Sequence, residues 1–273
     1  EAQHINGRSL LALASGITHG FGCVLFPEGT SHDNSHMIRF RTGPFRTVLA
    51  AAALAKASNL PMPTLLPVGL HYRRREYFRT DQYIEFGAPV TIPEETIPDE
   101  LVEAVSKGSW VEPPAEMVFA VRDKLQEKLP AFTANTASWE EHRALHLLAH
   151  LEARSKKKNL GTWQQEVHAA RAIKHQMSPN QEQLPPLPIE GTLIEQAKSA
   201  AEILERHGLD GRDLNATGKE LRRANPLHLI PFGIRALLFM MFLPFAVTSL
   251  GVQVAIGRIL GDDTDEGLDA RTR

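Results

Sequence analysis

The chain has 273 residues, a formal net charge of -2 and an apolar share of 42%. That length suits one large domain or one domain with appendages, and the apolar share allows a packed core. The near-neutral charge argues against a general nucleic-acid binder, which clusters Lys and Arg against phosphates; the lone cysteine, Cys23, excludes an internal disulfide and fits a reducing compartment.

In chain order, Ser9 to His19 predicts a short helix with Leu10, Leu11, Leu13 and Ile17 on its apolar face and Gly20 as its cap. Cys23 to Phe26 is a wholly apolar run stopped by Pro27 and Gly29. It reads as a strand buried on both faces in a parallel sheet, with Cys23 in the core. A polar loop, Thr30 to His36, follows. Pro44 to Ala57 predicts an Ala-rich helix that buries Phe45, Val48, Leu49, Ala52 and Leu54. Thr64 to Leu70 and Gln82 to Phe86 read as strands, the second ended by Gly87 and Pro89. Alternating strands and helices predict an α/β sheet with right-handed crossovers.

Beyond about residue 115 the pattern turns helical: Ala115 to Leu129, Trp139 to Lys158, Gln164 to His175 and Gly191 to Arg206. Ser178 to Pro188, with Pro185-Pro186, reads as an extended linker. Ala236 to Ile256 carries no charge, and about 20 apolar residues suffice to cross a bilayer core. Arg235 and Arg258 flank that run, where long cations snorkel. Pro244 and Gly251 interrupt it, so a kinked span and a hairpin of two half-helices are both open. A buried helix of a soluble domain seldom stays apolar on every face for so long. The expected organisation is an α/β part over 1–132, a helical region with a Pro-rich linker over 133–225, and a membrane-associated apolar segment with a polar tail over 226–273. Neither Glu1 nor the tail from Asp269 to Arg273 forms a recognisable terminus, so a fragment is expected at both ends.

The chemistry concentrates at Phe26-Pro27-Glu28-Gly29-Thr30-Ser31. A strand end stopped by Pro27, a turn allowed by Gly29 and two hydroxyls make a place where backbone N–H groups cradle an anion. These six residues resemble the third motif of the glycerol-phosphate and lysophosphatidic acid acyltransferases. Phe40-Arg41-Thr42-Gly43-Pro44-Phe45-Arg46 resembles the stretch that leads into that family's next helix. Leu66-Pro67-Val68-Gly69 resembles its fourth motif, and Tyr83 to Val90 its following strand. Four motifs in order cover residues 9 to 92. Residues 93 to 273 resemble, less specifically, the tail of the larger glycerol-3-phosphate and dihydroxyacetone-phosphate acyltransferases.

The resemblance implies a partial acyltransferase α/β domain that transfers an acyl group from acyl-CoA or acyl-carrier protein to glycerol 3-phosphate or its monoacyl derivative. It implies a lipid bilayer as partner and a membrane location (the cytoplasmic face of the inner membrane if the source is bacterial), with no cofactor, metal or nucleic acid. Its substrate-binding residues here are Phe26, Pro27, Glu28, Gly29, Thr30, Ser31, His32, Arg41 and Pro67. Ser31 stands where many relatives carry Arg, so the phosphate's cation is expected from Arg41 first, then Arg46 or Arg39, with His32 contributing when protonated. Glu28 accepts a glycerol hydroxyl or fixes the turn by bonding the loop's own N–H groups.

The family's general base lies in a His-x-x-x-x-Asp motif ahead of the third motif. The one stretch of that shape here is His71 to Glu76, which follows the fourth motif and reads as coincidental. The base is therefore expected outside this chain, and the chain alone is expected to be inactive. The alternative is a non-catalytic, membrane- or lipid-binding pseudoenzyme of the same fold. Ser31-His32-Asp33 is too local to be a hydrolytic triad. Between Arg39 and Arg79 lie eight Lys or Arg and one acid, Glu76. Arg73-Arg74-Arg75 there reads as a basic rim for phosphates or anionic headgroups. His142, His146 and His150 share a helix face at a spacing that suits a metal, but no carboxylate completes a pattern. Lys156 to Lys158 reads as a solvated helix end, and Trp139 and Trp163 as packing anchors.

Overall fold

The computed structural model describes residues 2–75, 77–177, 188–189, 191–221, 227 and 229–260. The molecule is mostly helical. Helix α1 (Ala2–Thr18) starts earlier than its apolar periodicity indicates. It ends in a Schellman turn: Gly20 N–H donates to Ile17 and Phe21 N–H to Gly16. Helix α2 (Gly43–Ser58) has Pro44 in its first turn and is buried on nearly every side, Ala50 to Ala53 included. Its alanines let neighbours approach closely. Leu11, Ala14 and Ile17 of α1, Leu101 and Val105 of α3 (Asp99–Ser106), and Val118, Val121 and Leu125 of α4 (Ala115–Lys128) all pack into its core cluster.

A second core lies among α5 (Trp139–Ser155), α6 (Trp163–Met177) and α7 (Thr192–Arg206). It joins Ala144, Leu145, Leu148, Ala149, Ala170, Ile173, Ile194 and Ala197. The Ser138 side chain caps α5 by accepting from Glu141 N–H at 3.2 Å. The linker expected at 178–188 lies, but for Pro188, outside the described residues.

The sheet departs from expectation. Strand β1 (Thr64–Leu65) pairs antiparallel with β4 (Val90–Thr91), and β2 (Val68–Tyr72) antiparallel with β3 (Gln82–Phe86). No parallel ladder exists among the described residues. The physical reason is connection length: residues 73–81 cannot make a parallel crossover, which takes about a dozen residues or more. Pro67 splits the expected Thr64 to Leu70 strand in two, since it has no N–H to give a ladder. Its carbonyl instead accepts from Gly87 N–H at 2.8 Å. At Gly69 a Cβ would fall 1.9 Å from the Phe132 carbonyl oxygen, so only glycine fits beneath that backbone.

Cys23 to Phe26 forms no strand among the described residues, and Cys23 is exposed rather than in the core. Val24 is 81% and Phe26 70% exposed. Apolar composition marks a segment for burial but supplies no ladder, and a strand without a paired neighbour has nothing to hold it. The β2–β3 hairpin shows a related inversion. Val68, Leu70, Tyr72, Ile84 and Phe86 face outward, while His71 is buried and Tyr83 and Glu85 are partly so.

Helix α8 (Leu229–Leu260) is one continuous helix with Pro244 inside it, not a hairpin. Its Ile230–Ile256 stretch has a mean hydropathy of 2.0 and buries none of its apolar window against the rest of the chain. The Thr248 hydroxyl donates to the carbonyls of Pro244 and Phe245 at 3.1 and 3.0 Å, so this polar group is satisfied within the helix.

Candidate functional site

Residues 26–41 form a closed loop. Gly29 N–H donates to the Phe26 carbonyl at 3.2 Å, making a tight turn over Pro27 and Glu28, and Arg41 N–H donates to the Pro27 carbonyl at 2.7 Å where the chain returns. Gly29 has φ of 66°, a left-handed conformation, and a Cβ on it would lie 2.8 Å from Arg41 Cγ. The Arg41 side chain thus passes directly over the turn. Thr30 and Ser31 are exposed next to it, with one long bond, Thr30 Oγ1 to the Ser31 carbonyl at 3.4 Å. Arg41 and Arg39 carry no ion pair among the described residues, whereas Arg46 pairs with Glu112 at 3.2 Å.

Glu28 points into the loop. Its Oε2 accepts from Ile38 N–H at 2.9 Å and contacts His32 Nε2 at charge-assisted hydrogen-bond range. Of its two expected roles, fixing the turn is the one with visible partners. The other ring nitrogen of His32 accepts from Asn34 N–H at 3.2 Å. His32 is thereby a loop strut, half-buried. Phe26 and Pro27 shape the turn. Pro67 lies apart, fully buried between β1 and β2, where it sets the strand break.

The outer side of the loop is held by residues far away in sequence. Ser35 Oγ donates to the Thr136 carbonyl at 2.7 Å, and Thr136 N–H returns a bond to Ser35 at 3.1 Å. The Trp139 indole N–H donates to the Asp33 carbonyl at 2.7 Å. Arg75 donates to the His32 carbonyl at 3.1 Å, pairs with the Asp33 carboxylate and lies over the Trp139 ring at 5.8 Å. Sequence reasoning missed this clamp because Trp139 stands 106 positions from Asp33.

The expected basic rim is instead a set of internal ion pairs. Arg73, 10% exposed, grips Glu166 with two bonds of 2.8 and 2.6 Å and Asp81 with one of 2.9 Å. Arg74 grips Glu205 with two bonds of 3.0 Å. Guanidinium groups satisfied in this way are structural pins, not a free cationic surface. The charge run could not show it, because Glu166 and Glu205 come from α6 and α7.

His142 and His146 form a stack with two tryptophans, and His150 pairs with Glu166 at 3.1 Å. His142 meets Trp139 edge-on at 5.4 Å, His146 follows at 4.5 Å, and Trp163 stacks on His146 at 4.8 Å and carries the Arg73 guanidinium 4.5 Å from its ring. No group of metal-holding residues occurs among the described residues. Burial, aided by His71, Arg143 and Lys174, lowers the pKa of the half-buried His142 to about 4. Burial, with His142 and His150 beside it, pushes His146 well down too. His71 is buried in β2, stacked on Tyr83 at 5.5 Å with Nε2 3.4 Å from Glu85, so it is a core group and not the surface base of an open site. Burial is again the first cause that lowers its pKa. Lys156 to Lys158 is the exposed end of α5, as expected.

Over 123 residues the chain is 34% identical to glycerol-3-phosphate O-acyltransferase 2 of Saccharomyces cerevisiae, and over 103 residues 30% identical to an uncharacterized acyltransferase of Schizosaccharomyces pombe. The chain is related to these acyltransferases. Glycerol-3-phosphate O-acyltransferase 1 of S. cerevisiae is 29% identical over 99 residues. These matches take in 45%, 38% and 32% of the chain. The chain spans only 15%, 14% and 13% of those acyltransferases' own lengths. No protein-family model and no solved structure matches it. All three acyltransferase relatives are yeast proteins, so a bacterial inner membrane has no support from them.

Proposed function

We propose that this chain supplies the acceptor-holding part of an O-acyltransferase that moves a fatty acyl group from a thioester, acyl-CoA or acyl-carrier protein, to glycerol 3-phosphate or its monoacyl derivative. The observation that carries the reading is the loop at 26–41, which sets an Arg41 without an ion pair among the described residues over a left-handed Gly29, beside the exposed Thr30 and Ser31 hydroxyls. The yeast relatives' names and the order of the four motifs support the substrate class. An anion needs fixed donors and a cation, and this turn offers both. Glu28 and His32 keep the turn in shape. Holding the acceptor lowers the barrier by orienting its hydroxyl toward the thioester. The base that takes the hydroxyl proton comes from outside residues 1–273, because His71 is buried and follows the fourth motif.

The same reading places the protein at a membrane through α8. Its apolar stretch runs 27 residues, about 40 Å at ~1.5 Å per residue, against a hydrocarbon core of ~30 Å. A tilted span uses that excess length. The division at about residues 132 and 225 is proposed on the same footing. It separates the core around α2 from the core around α5, with α8 beyond both.

Calorimetric titration with glycerol 3-phosphate tests the site. Wild type binds, and Arg41→Gln weakens binding about 10- to 100-fold, as expected for a lost charged hydrogen bond. Equal binding by the variant would remove Arg41 from the site.

A further inference from the structure

The loop at 30–36 has no regular secondary structure, and fixing a backbone without a ladder or helix costs conformational entropy. Something outside the loop therefore has to fix the direction of its donors. Glu28 does so from within, through Ile38 N–H and His32. From outside, the contacts come from two places: Arg75, just past β2, and the segment that enters α5. Thr136 exchanges two bonds with Ser35, Trp139 holds the Asp33 carbonyl, and Arg75 holds both the His32 carbonyl and the Asp33 carboxylate. Trp139 is itself fixed. It stands at the start of α5, whose N-cap is made by Ser138, and its ring is braced by His142, edge-on at 5.4 Å, and by Arg75 over it at 5.8 Å.

We propose that Arg75, Thr136 and Trp139 are positioning residues for the acceptor loop, so that the segment entering α5, together with Arg75, sets the conformation in which Thr30, Ser31 and Arg41 meet a phosphate-bearing acceptor. This rests on the reading of the loop as an acceptor site. It goes beyond that reading by giving the helical region a role in the site. A donor set held in its bound shape loses less entropy on binding, so a loosened clamp appears as lost affinity without the loss of any ligand contact.

Two variants separate this from a merely structural role. Trp139→Phe removes the indole donor to Asp33 and keeps a ring for Arg75 and His142. Arg75→Met removes the bonds to His32 and Asp33 and keeps an apolar stem. The whole chain is examined in detergent for amide exchange at 30–36, for thermal stability, and for binding of glycerol 3-phosphate and inorganic phosphate. Each variant is expected to keep its melting temperature within a few degrees. Each should raise exchange at 30–36 and weaken both ligands about tenfold, the equivalent of about 1.4 kcal/mol. If Arg75→Met fails to fold, Trp139→Phe carries the comparison. Wild-type binding with unchanged affinity in the variants overturns the positioning role and leaves the site standing. No binding of either probe by wild type overturns the acceptor site and this inference together.

Discussion

At the scale of single residues, the site depends on one glycine conformation and one arginine. Gly29→Ala places a Cβ both in left-handed backbone and 2.8 Å from Arg41 Cγ. The backbone cost alone is about 1–2 kcal/mol. The loop is expected to open, with lower phosphate affinity and little change in the melting of α2. A circular-dichroism melt beside a binding titration checks both. Residue-scale chemistry also sets a pH dependence. His142 has a folded pKa of about 4 against an ordinary 6.5. Between those values the unfolded chain binds more protons than the folded one, so stability falls as pH is lowered through that window. His146 and His71 act in the same direction. Thermal melts between pH 7 and 4 should show this loss, and His142→Gln should flatten the slope. A wild-type melting temperature constant over that range contradicts the buried, neutral stack.

At the scale of elements, the hairpin between β2 and β3 is pinned to α6 and α7 by its arginines. For Glu166, burial alone would raise the pKa, but the hydrogen bonds from His150 and Arg73 outweigh it and hold the carboxylate below its usual range. Its contribution to stability is present above the ordinary carboxylate pKa and is lost as pH falls through the lower folded value. Glu166→Ala leaves His150 buried without its carboxylate and Arg73 with the exposed Asp81 as its hydrogen-bonded carboxylate, and a destabilisation of about 3–5 kcal/mol is expected from chemical denaturation. Arg73→Glu should unfold the hairpin with or without anionic vesicles. That outcome separates a structural pin from a lipid-binding rim.

Helices α2, α4, α5, α6 and α7 were legible in the sequence because apolar side chains recur with the helical period. The end of β3 was legible from Gly87 and Pro89. The direction of strand pairing was not, since nothing local in Thr64 to Leu70 says which neighbour it meets. In the site, the tight turn within Phe26 to Ser31 could be read from residue types, Pro27 and Gly29 above all. The clamp could not, because Thr136 and Trp139 lie more than a hundred positions from their partners, and the arginine pins could not for the same reason.

At the scale of the whole molecule, two packed cores are followed by a helix that packs on neither. An apolar helix with every face exposed is unfavourable in water and favourable in lipid. Deleting residues 226–260 should move the protein from the membrane pellet to the supernatant and leave the melting of the remainder nearly unchanged. A truncated chain that still pellets would assign membrane contact elsewhere, with the outward face of β2 and β3 the first place to look. The central claim is that the loop at 26–41 holds a phosphate-bearing acceptor. Amide and Arg41 side-chain resonances, followed while glycerol 3-phosphate is added to the full chain in detergent, test it most directly. Saturable shifts centred on Gly29, Thr30, Ser31 and Arg41, absent with glycerol, are predicted. Shifts equal for glycerol and glycerol 3-phosphate, or confined to residues outside that loop, would contradict it.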